Sequence, residues 1–285
     1  MTPTPPKPAV SVAVALKWVD HRPQVDPLTG AVRTDSRTSG PSAADQAALE
    51  WALRSADAWG GVVLAATAGP PSAEAVLREA LAAGATRAVR VDLAADACSA
   101  EVASALAPVL AGAGLVLCGD WSLDRGSGSV PAFLAAHLGA AQALGCTDLV
   151  IDASTGVVTA ERRLDGGRRE RLVLGSPAVV SVEGRTARLR RASMAGVLAS
   201  RSAAVEVVPP GPSGAAAPRP PARRSPFRPR ARALAPPPAD LDARRRILAL
   251  TGASAHRTPP QLLVLEPAAA ADRILDQLRA WGYLG

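Results

Sequence analysis

The sequence predicts an α/β fold: a doubly wound, mostly parallel sheet with antiparallel additions, then a proline- and arginine-rich linker and a helical tail. Three observations carry this. Ala9 to Leu16 (AVSVAVAL) is a continuous run of small and β-branched residues, apolar but for Ser11, the pattern of a strand buried on both faces. From Ala44 onward such runs alternate with segments whose apolar residues recur at helical spacing, the rhythm of right-handed βαβ units. The 285 residues are 48% hydrophobic and 20% charged but only 3% aromatic, so the apolar stock is Ala, Val and Leu. That suits one sizeable core and excludes wholesale disorder, collagen and coiled coil.

After the first strand, a polar stretch from Asp20 to Ser42 contains Pro27-Leu28-Thr29-Gly30, which predicts a tight turn. A helix follows over Ala44 to Ala58, beginning near Ser42, then a buried strand over Gly61 to Thr67. Ser72 to Ala83 is a second helix closed by Gly84, and Ala88 to Asp92 a third strand. Ser99 to Ala111 reads as helix, Leu115 to Gly119 as strand, and Pro131 to Leu138 as a helix with proline in its first turn and Gly139 at its end. From Leu149 the rhythm changes. Leu149 to Asp152, Val157 to Arg163, Arg169 to Leu174 and Ala178 to Glu183 are short strands joined by turns such as Asp165-Gly166-Gly167, and they read as the antiparallel additions. Leu241 to Thr251 and Ala268 to Trp281 are two helices around the apolar run Leu262 to Leu265. These divide the chain into a domain over residues 1–208, a linker over 209–239 and a tail over 240–285 that is too small for its own core and is expected to dock onto the main domain or another chain.

The net charge of +7 raises nucleic-acid binding, so its location matters. The linker holds six arginines (Arg219, Arg223, Arg224, Arg228, Arg230, Arg232), no acid and 11 of the 26 prolines. Seven less six leaves about +1 for everything else. With Phe227 its only aromatic, the stretch lacks the stacking groups of a single-strand groove and reads as a solvated, extended linker, not a nucleic-acid site. The three cysteines, Cys98, Cys118 and Cys146, are far apart, with neither disulfide framework nor zinc spacing. No apolar run reaches a membrane-spanning length, and Met1 to Pro8 is proline-rich and unlike a signal peptide, so the expectation is a cytoplasmic protein that is not embedded in a membrane.

Ligands of open parallel sheets lie beyond the carboxyl ends of the strands, which directs attention to three turns. Lys17, Trp18 and Asp20 follow the first strand, and Thr67 to Pro71 the second. Gly119 to Pro131 (GDWSLDRGSGSVP) follows the fourth and opens a helix, so its glycines, serines and free amides suit an anion, above all a phosphate. It is neither a Walker loop nor GxGxxG. Catalytic groups are not assembled: His21, His137 and His256 are scattered, the cysteines adjoin apolar runs, and Asp124 and Glu161 pair with no second acid. The chain reads as a binder, with no catalytic or metal residues.

Several segments in order resemble the beta subunit of electron transfer flavoproteins. These are Leu16-Lys17-Trp18-Val19-Asp20 with Val25-Asp26-Pro27-Leu28-Thr29-Gly30, Asp45 to Leu53 (DQAALEWAL), Thr67-Ala68-Gly69-Pro70-Pro71 with Leu77-Arg78-Glu79-Ala80-Leu81, Asp124 to Gly139, and Pro177 to Val182. The resemblance covers roughly residues 9–208. The linker and the closing Pro259-Pro260 and Trp281-Gly282-Tyr283-Leu284 look similar to divergent beta subunits associated with mycofactocin systems.

The resemblance implies an adenine nucleotide alpha hydrolase-like fold and a non-catalytic subunit in a heterodimer with an electron transfer flavoprotein alpha subunit that holds most of the FAD site. It implies AMP, or a second FAD, in a cleft of this chain. Asp124, Gly126, Ser127, Gly128, Ser129 and Val130 would line the phosphate side, with Ala15, Lys17 and Thr67 toward the adenosine. The family usually has an acid at Gly126, a glutamine at Ser129 and Asn-Pro at Gly40-Pro41; each loss removes a side-chain hydrogen bond of about 0.5–1.5 kcal/mol and leaves the backbone amides as donors. Arg190, Arg191, Met194, Val197 and Leu198 match the segment that docks a flavin-dependent dehydrogenase, from which electrons pass to a downstream acceptor. Arg185, Arg188, Arg190 and Arg191 would steer toward an acidic rim, and Met194 would enter an apolar pocket unless it is a core residue. The alternatives are a stand-alone adenine-nucleotide-binding α/β enzyme and a scaffold subunit that binds no nucleotide.

Overall fold

The computed structural model describes residues 11–211, 237–238, 240–251 and 262–283, and it divides into two units, Met1–Phe227 and Arg228–Gly285. In the first unit the apolar N-terminal run forms β1 (Ser11–Ala15). Next come β2 (Trp18–Asp20), β3 (Gln24–Val25), β4 (Val32–Arg33) and β5 (Ser39–Pro41), which pair as two small antiparallel ribbons, β2 with β5 and β3 with β4. The α/β units follow: α1 (Ala43–Trp59), β6 (Val62–Gly69), α2 (Glu74–Ala83), β7 (Arg87–Asp92), α3 (Ser99–Leu110), β8 (Leu115–Gly119) and α4 (Val130–Leu138). The chain continues through β9 (Ala141–Ile151), β10 (Val158–Arg163), β11 (Arg169–Leu174), β12 (Ala178–Val182), α5 (Met194–Ser202) and β13 (Glu206–Val208).

Nine strands form one sheet in the order β11-β10-β9-β12-β8-β1-β6-β7-β13. This is the predicted α/β architecture. Alternation in β1 shows why Val12 to Ala15 had to be apolar: Val12 and Val14 join one core layer with α1 and α2, while Ala13 and Ala15 join the other with α3 and α4. Leu115 and Leu117 of β8 divide from Val116 and Cys118 in the same way. Each fully buried Val or Leu contributes about 1.5–3 kcal/mol, so the strength of the fold lies in these central strands and not in the loops at their ends.

The orientation of the late strands differs from the expectation. β12 is parallel to both β8 and β9 and lies between them, so Ala178 to Val182 belongs to the parallel body, all five residues buried. β10 alone runs against the other eight, paired antiparallel with β9 and β11. β9 also begins eight residues before the expected Leu149. A β-bulge explains the missed signal: Gly145 has φ of 66° and its N–H donates to Ser181 Oγ at 2.9 Å, interrupting the alternation. The short strand β13 extends the edge beside β7 and carried no expectation.

In the second unit, α6 (Ala243–Thr251) and α7 (Pro267–Ala280) fall where helices were expected, and neither buries a residue. Leu262 to Leu265 has no regular structure and is exposed. The linker arginines Arg219 to Arg232, like His256, lie outside the described residues.

Candidate functional site

The order of strands reverses about β1: the chain leaves it toward β6 and β7, then crosses back through α3 to β8 on its other side. The loops beyond the carboxyl ends of β1 and β8 diverge at such a point and leave a crevice. A cleft of about 110 Å³ opens there.

Its base is apolar, formed by Ala15, Ala68, Val102, Leu106, Val130 and Pro131. Its walls come from Leu16 and Lys17 after β1, Ser42 and Asp45 at the start of α1, Ala94 to Ser99 before and into α3, and Gly119 to Gly128 after β8. The last loop is fastened at two points. Lys17 Nζ donates to Ser122 Oγ at 2.7 Å and to Asp124 Oδ1 at 2.5 Å, and Arg125 Nη2 donates to the Ala95 carbonyl at 3.2 Å. Within the loop, Ser122 N–H donates to the Ser127 carbonyl and Gly126 N–H to that of Ser122, with Gly126 left-handed at φ of 61°. Burial pushes the Asp124 carboxyl up, but the hydrogen bonds from Lys17 and Ser122 outweigh it, and the group titrates below the ordinary carboxylate range. Gly128 crosses so close to the Asp120 carbonyl that a Cβ would stand 1.9 Å from its oxygen. At the end of the loop, Ser129 precedes α4 without capping it through its side chain, so the Val130 and Ala132 amides keep their donors for another acceptor, Pro131 between them having none.

The opposite wall is the start of α1. Ser42 Oγ accepts the Asp45 N–H at 3.1 Å, and Asp45 Oδ2 accepts the Ser42 N–H at 3.2 Å and its hydroxyl at 2.6 Å. Asp45 is 6% exposed, and burial raises its carboxyl to about 6 despite hydrogen bonds from Ser42 and the Lys17 backbone. Gly119 lets β8 pass close under this turn, since a Cβ there would lie 3.1 Å from both the Asp45 nitrogen and Ala44 Cβ.

Of the residues expected here, Ala15, Lys17, Ser127, Gly128 and Val130 line the cleft. Asp124 stands at its rim on Lys17, Gly126 forms the turn of the loop, and Ser129 leads into α4. Thr67 is 1% exposed within β6 and does not line the cleft; the next residue, Ala68, does, as alternation along a strand requires. Ser42 and Asp45 were missed, although Ser42-Ala43-Ala44-Asp45 carries the spacing of a capping box.

The second group of expected residues surrounds α5. Ser193 caps that helix by accepting the Gly196 N–H at 3.0 Å. Met194 is 75% and Leu198 56% exposed, Val197 is half-buried, and the alternative of a core methionine is excluded. The expected row of four free arginines is reduced to two. Arg190 is paired with Glu50 and Asp57, and Arg185 with Glu183, leaving Arg188 and Arg191 exposed without an ion pair among the described residues.

Elsewhere the chemistry is quiet. Cys118 is buried with its thiol pushed up by burial and by the Asp45 charge, Cys146 is likewise buried and pushed up to about 12, and His137 is exposed. Among the described residues no group of His, Cys, Asp and Glu could hold a metal ion, and no helix is long and apolar enough to cross a membrane.

No curated protein matches the chain. A family model does: the electron transfer flavoprotein domain matches residues 29–213, which include α1, every strand of the sheet after β1, the loop over the cleft and α5. With the model spanning well over half of the sequence, the chain belongs to the electron transfer flavoprotein domain family.

Proposed function

We propose that this chain is the beta subunit of a heterodimeric electron transfer flavoprotein. In this reading it binds an adenine nucleotide, AMP or the adenylate part of a second FAD, in the cleft between β1 and β8. It shields one side of an FAD held mainly by an alpha subunit, and it presents α5 to a flavin-dependent dehydrogenase, from which electrons pass to a downstream acceptor. The flavin, when bound, supplies all the redox chemistry; the protein supplies position and electrostatics. The C-terminal segments lead this reading to the branch associated with mycofactocin systems, and the scattered, unpaired cysteines lead it to a cytoplasmic complex.

The observation that carries the proposal is the composition of the cleft within a member of this family. Apolar Ala68, Val102 and Leu106 suit a purine face, and Ser127 with the free amides of α4 suits a phosphate. Only Lys17 and Arg125 bring positive charge to the lining, and Lys17 already faces Asp124. That supply fits one phosphate or a diester, not the concentrated charge of a triphosphate with its metal. The same scarcity weighs against a stand-alone nucleotide-processing enzyme, as does the buried Asp45 having no second acid beside it in the lining.

Co-expression with the gene for its alpha subunit tests this. A yellow heterodimer that releases AMP or FAD on denaturation is the expected result. A yellow heterodimer without nucleotide beyond the alpha-subunit FAD would make the chain a scaffold, and a colourless monomer that turns over a nucleotide would overturn the reading.

Met194 tests the docking role separately. Met194→Ala removes an exposed side chain that is not part of the cleft lining, so fold, flavin content and heterodimer should persist. Reduction by the dehydrogenase should slow by about 5- to 30-fold at low substrate concentration, the effect of losing an anchor of about 1–2 kcal/mol. Reduction by dithionite should not change. Equal enzymatic rates for variant and wild type would remove Met194 from docking.

A further inference from the structure

The segment joining β12 to α5 is fastened to the middle of α1 by one buried carboxylate. Glu50 is 4% exposed, with its Oε2 accepting both the backbone N–H and Nε of Arg190, each at 3.0 Å. Its Oε1 accepts Arg54 Nε at 2.8 Å, and Arg190 Nη1 reaches on to Asp57 Oδ2 at 2.9 Å. Burial pushes the Glu50 carboxyl up, but Arg190 and Arg54 outweigh it and hold the group below its ordinary range.

This cluster is poorly explained by stability, since an apolar pair of similar volume commonly serves a fold as well or better. Nor does Glu50 line the cleft. What the cluster does is fix a backbone position. Arg190 stands three residues before Ser193, at most about 10 Å of chain, and Ser193 starts α5. At the far end of α5, Arg78 Nη1 donates to the carbonyls of Ser200, at 2.8 Å, and Ala203. Between them Gly196 rests on α2 so closely that a Cβ would lie 2.7 Å from the Ala82 carbonyl oxygen. The helix is therefore held at both ends and along one side while Met194 and Leu198 project outward.

We infer that Glu50 is a positioning residue for partner docking: through Arg190 it holds the start of α5, and with it Met194, in the arrangement the dehydrogenase meets. This rests on the docking role proposed above. A segment already ordered does not have to be ordered during the encounter, so its preorganisation appears in the affinity for the partner and not in the electron-transfer step.

The test uses the full chain with its alpha subunit and a host flavin-dependent dehydrogenase that reduces the wild-type complex. Three changes are compared: Glu50→Gln, the apolar double change Glu50→Leu with Arg190→Met, and Met194→Ala. In Glu50→Gln the amides of Arg190, Gly196 and Val197 should exchange with deuterium at least tenfold faster, with those of β1 and β8 unchanged. The KM for the dehydrogenase should rise about tenfold at unchanged kcat. Glu50→Gln should also lower the melting temperature, since it leaves Arg190 and Arg54 without the Glu50 carboxylate. In the double variant the melting temperature should return to the wild-type value while KM stays raised, a combination that a merely structural role would not produce. Unchanged exchange in the Arg190 to Val197 segment would overturn the proposal, as would faster exchange throughout the sheet, or a KM that recovers together with the melting temperature. If Met194→Ala also leaves KM unaltered, the docking role itself is wrong and the positioning role falls with it; if Met194→Ala raises KM and Glu50→Gln does not, only the positioning role falls.

Discussion

Gly128→Ala should abolish nucleotide binding and loosen the loop over the cleft, although alanine adds a single methyl group. The Cβ would stand 1.9 Å from the Asp120 carbonyl oxygen and 3.1 Å from its carbon, both backbone atoms that cannot rotate aside. The strand-to-helix connection must then open by more than 1 Å. That separates Ser122 N–H from the Ser127 carbonyl and moves Ser127 and the start of α4 away from the position a phosphate would occupy. Such overpacking costs roughly 1–3 kcal/mol. The neighbouring Gly126 is the control. Its left-handed φ of 61° would strain an alanine by about 1 kcal/mol, but the nearest atom to a Cβ there is Trp121 Cζ3 at 3.9 Å, so the loop keeps its course. Titration with AMP, followed by calorimetry, should show no binding to Gly128→Ala and affinity within about tenfold of wild type for Gly126→Ala. Equal affinities for wild type and Gly128→Ala would remove the loop from the binding site.

That close approach illustrates what the sequence did and did not reveal. The strands were legible where both faces are covered, because the buried residues of β1, β6 and β8 are then almost all apolar. Strand direction is not written in the strand itself: Ala178 to Val182 was recognised as a strand, but its parallel place between β8 and β9 follows from the long excursion through β10 and β11. Gly145 and Asp148 concealed the first two-thirds of β9 by breaking its alternation. In the cleft, the rule that ligands gather beyond strand ends found Lys17, Ser127 and Gly128. It also covered Thr67 to Pro71, where Ala68 lines the cleft, whereas the resemblance singled out Thr67, whose side chain meets the other face of the strand. Glu50 and Arg190 are 140 residues apart, and nothing local to either segment signals their contact. The four arginines near α5 looked alike in sequence; only tertiary structure separates the two that are neutralised by Glu183, Glu50 and Asp57.

Asp45 should make the domain lose stability as pH rises from about 4 to about 6, the reverse of the usual behaviour of a salt-bridged carboxylate. Its pKa is raised to about 6 in the folded chain from the ordinary aspartate value of 3.8, with burial as the main cause. Below pH 3.8 both folded and unfolded chains carry the proton and the residue exerts no pH dependence. Between the two values the unfolded chain releases the proton and the folded chain keeps it, so each unit of pH favours unfolding by about 1.4 kcal/mol. Across the window the loss is about 3 kcal/mol, and it persists above pH 6, where the folded carboxylate is charged. Asp45→Asn cannot titrate, yet its side-chain oxygen can still accept from Ser42, so part of the cap remains. The variant should therefore be less stable than wild type at pH 4, through the weakened cap, and should gain about 3 kcal/mol on it by pH 7. The measurement is urea unfolding at half-unit steps of pH, followed by the fluorescence of Trp51 and Trp59, which pack in the same core layer. A constant stability difference between the two proteins over this range would show that Asp45 is ionised in the folded state well below pH 6, and that the α1 wall of the cleft is more open to water than its burial indicates.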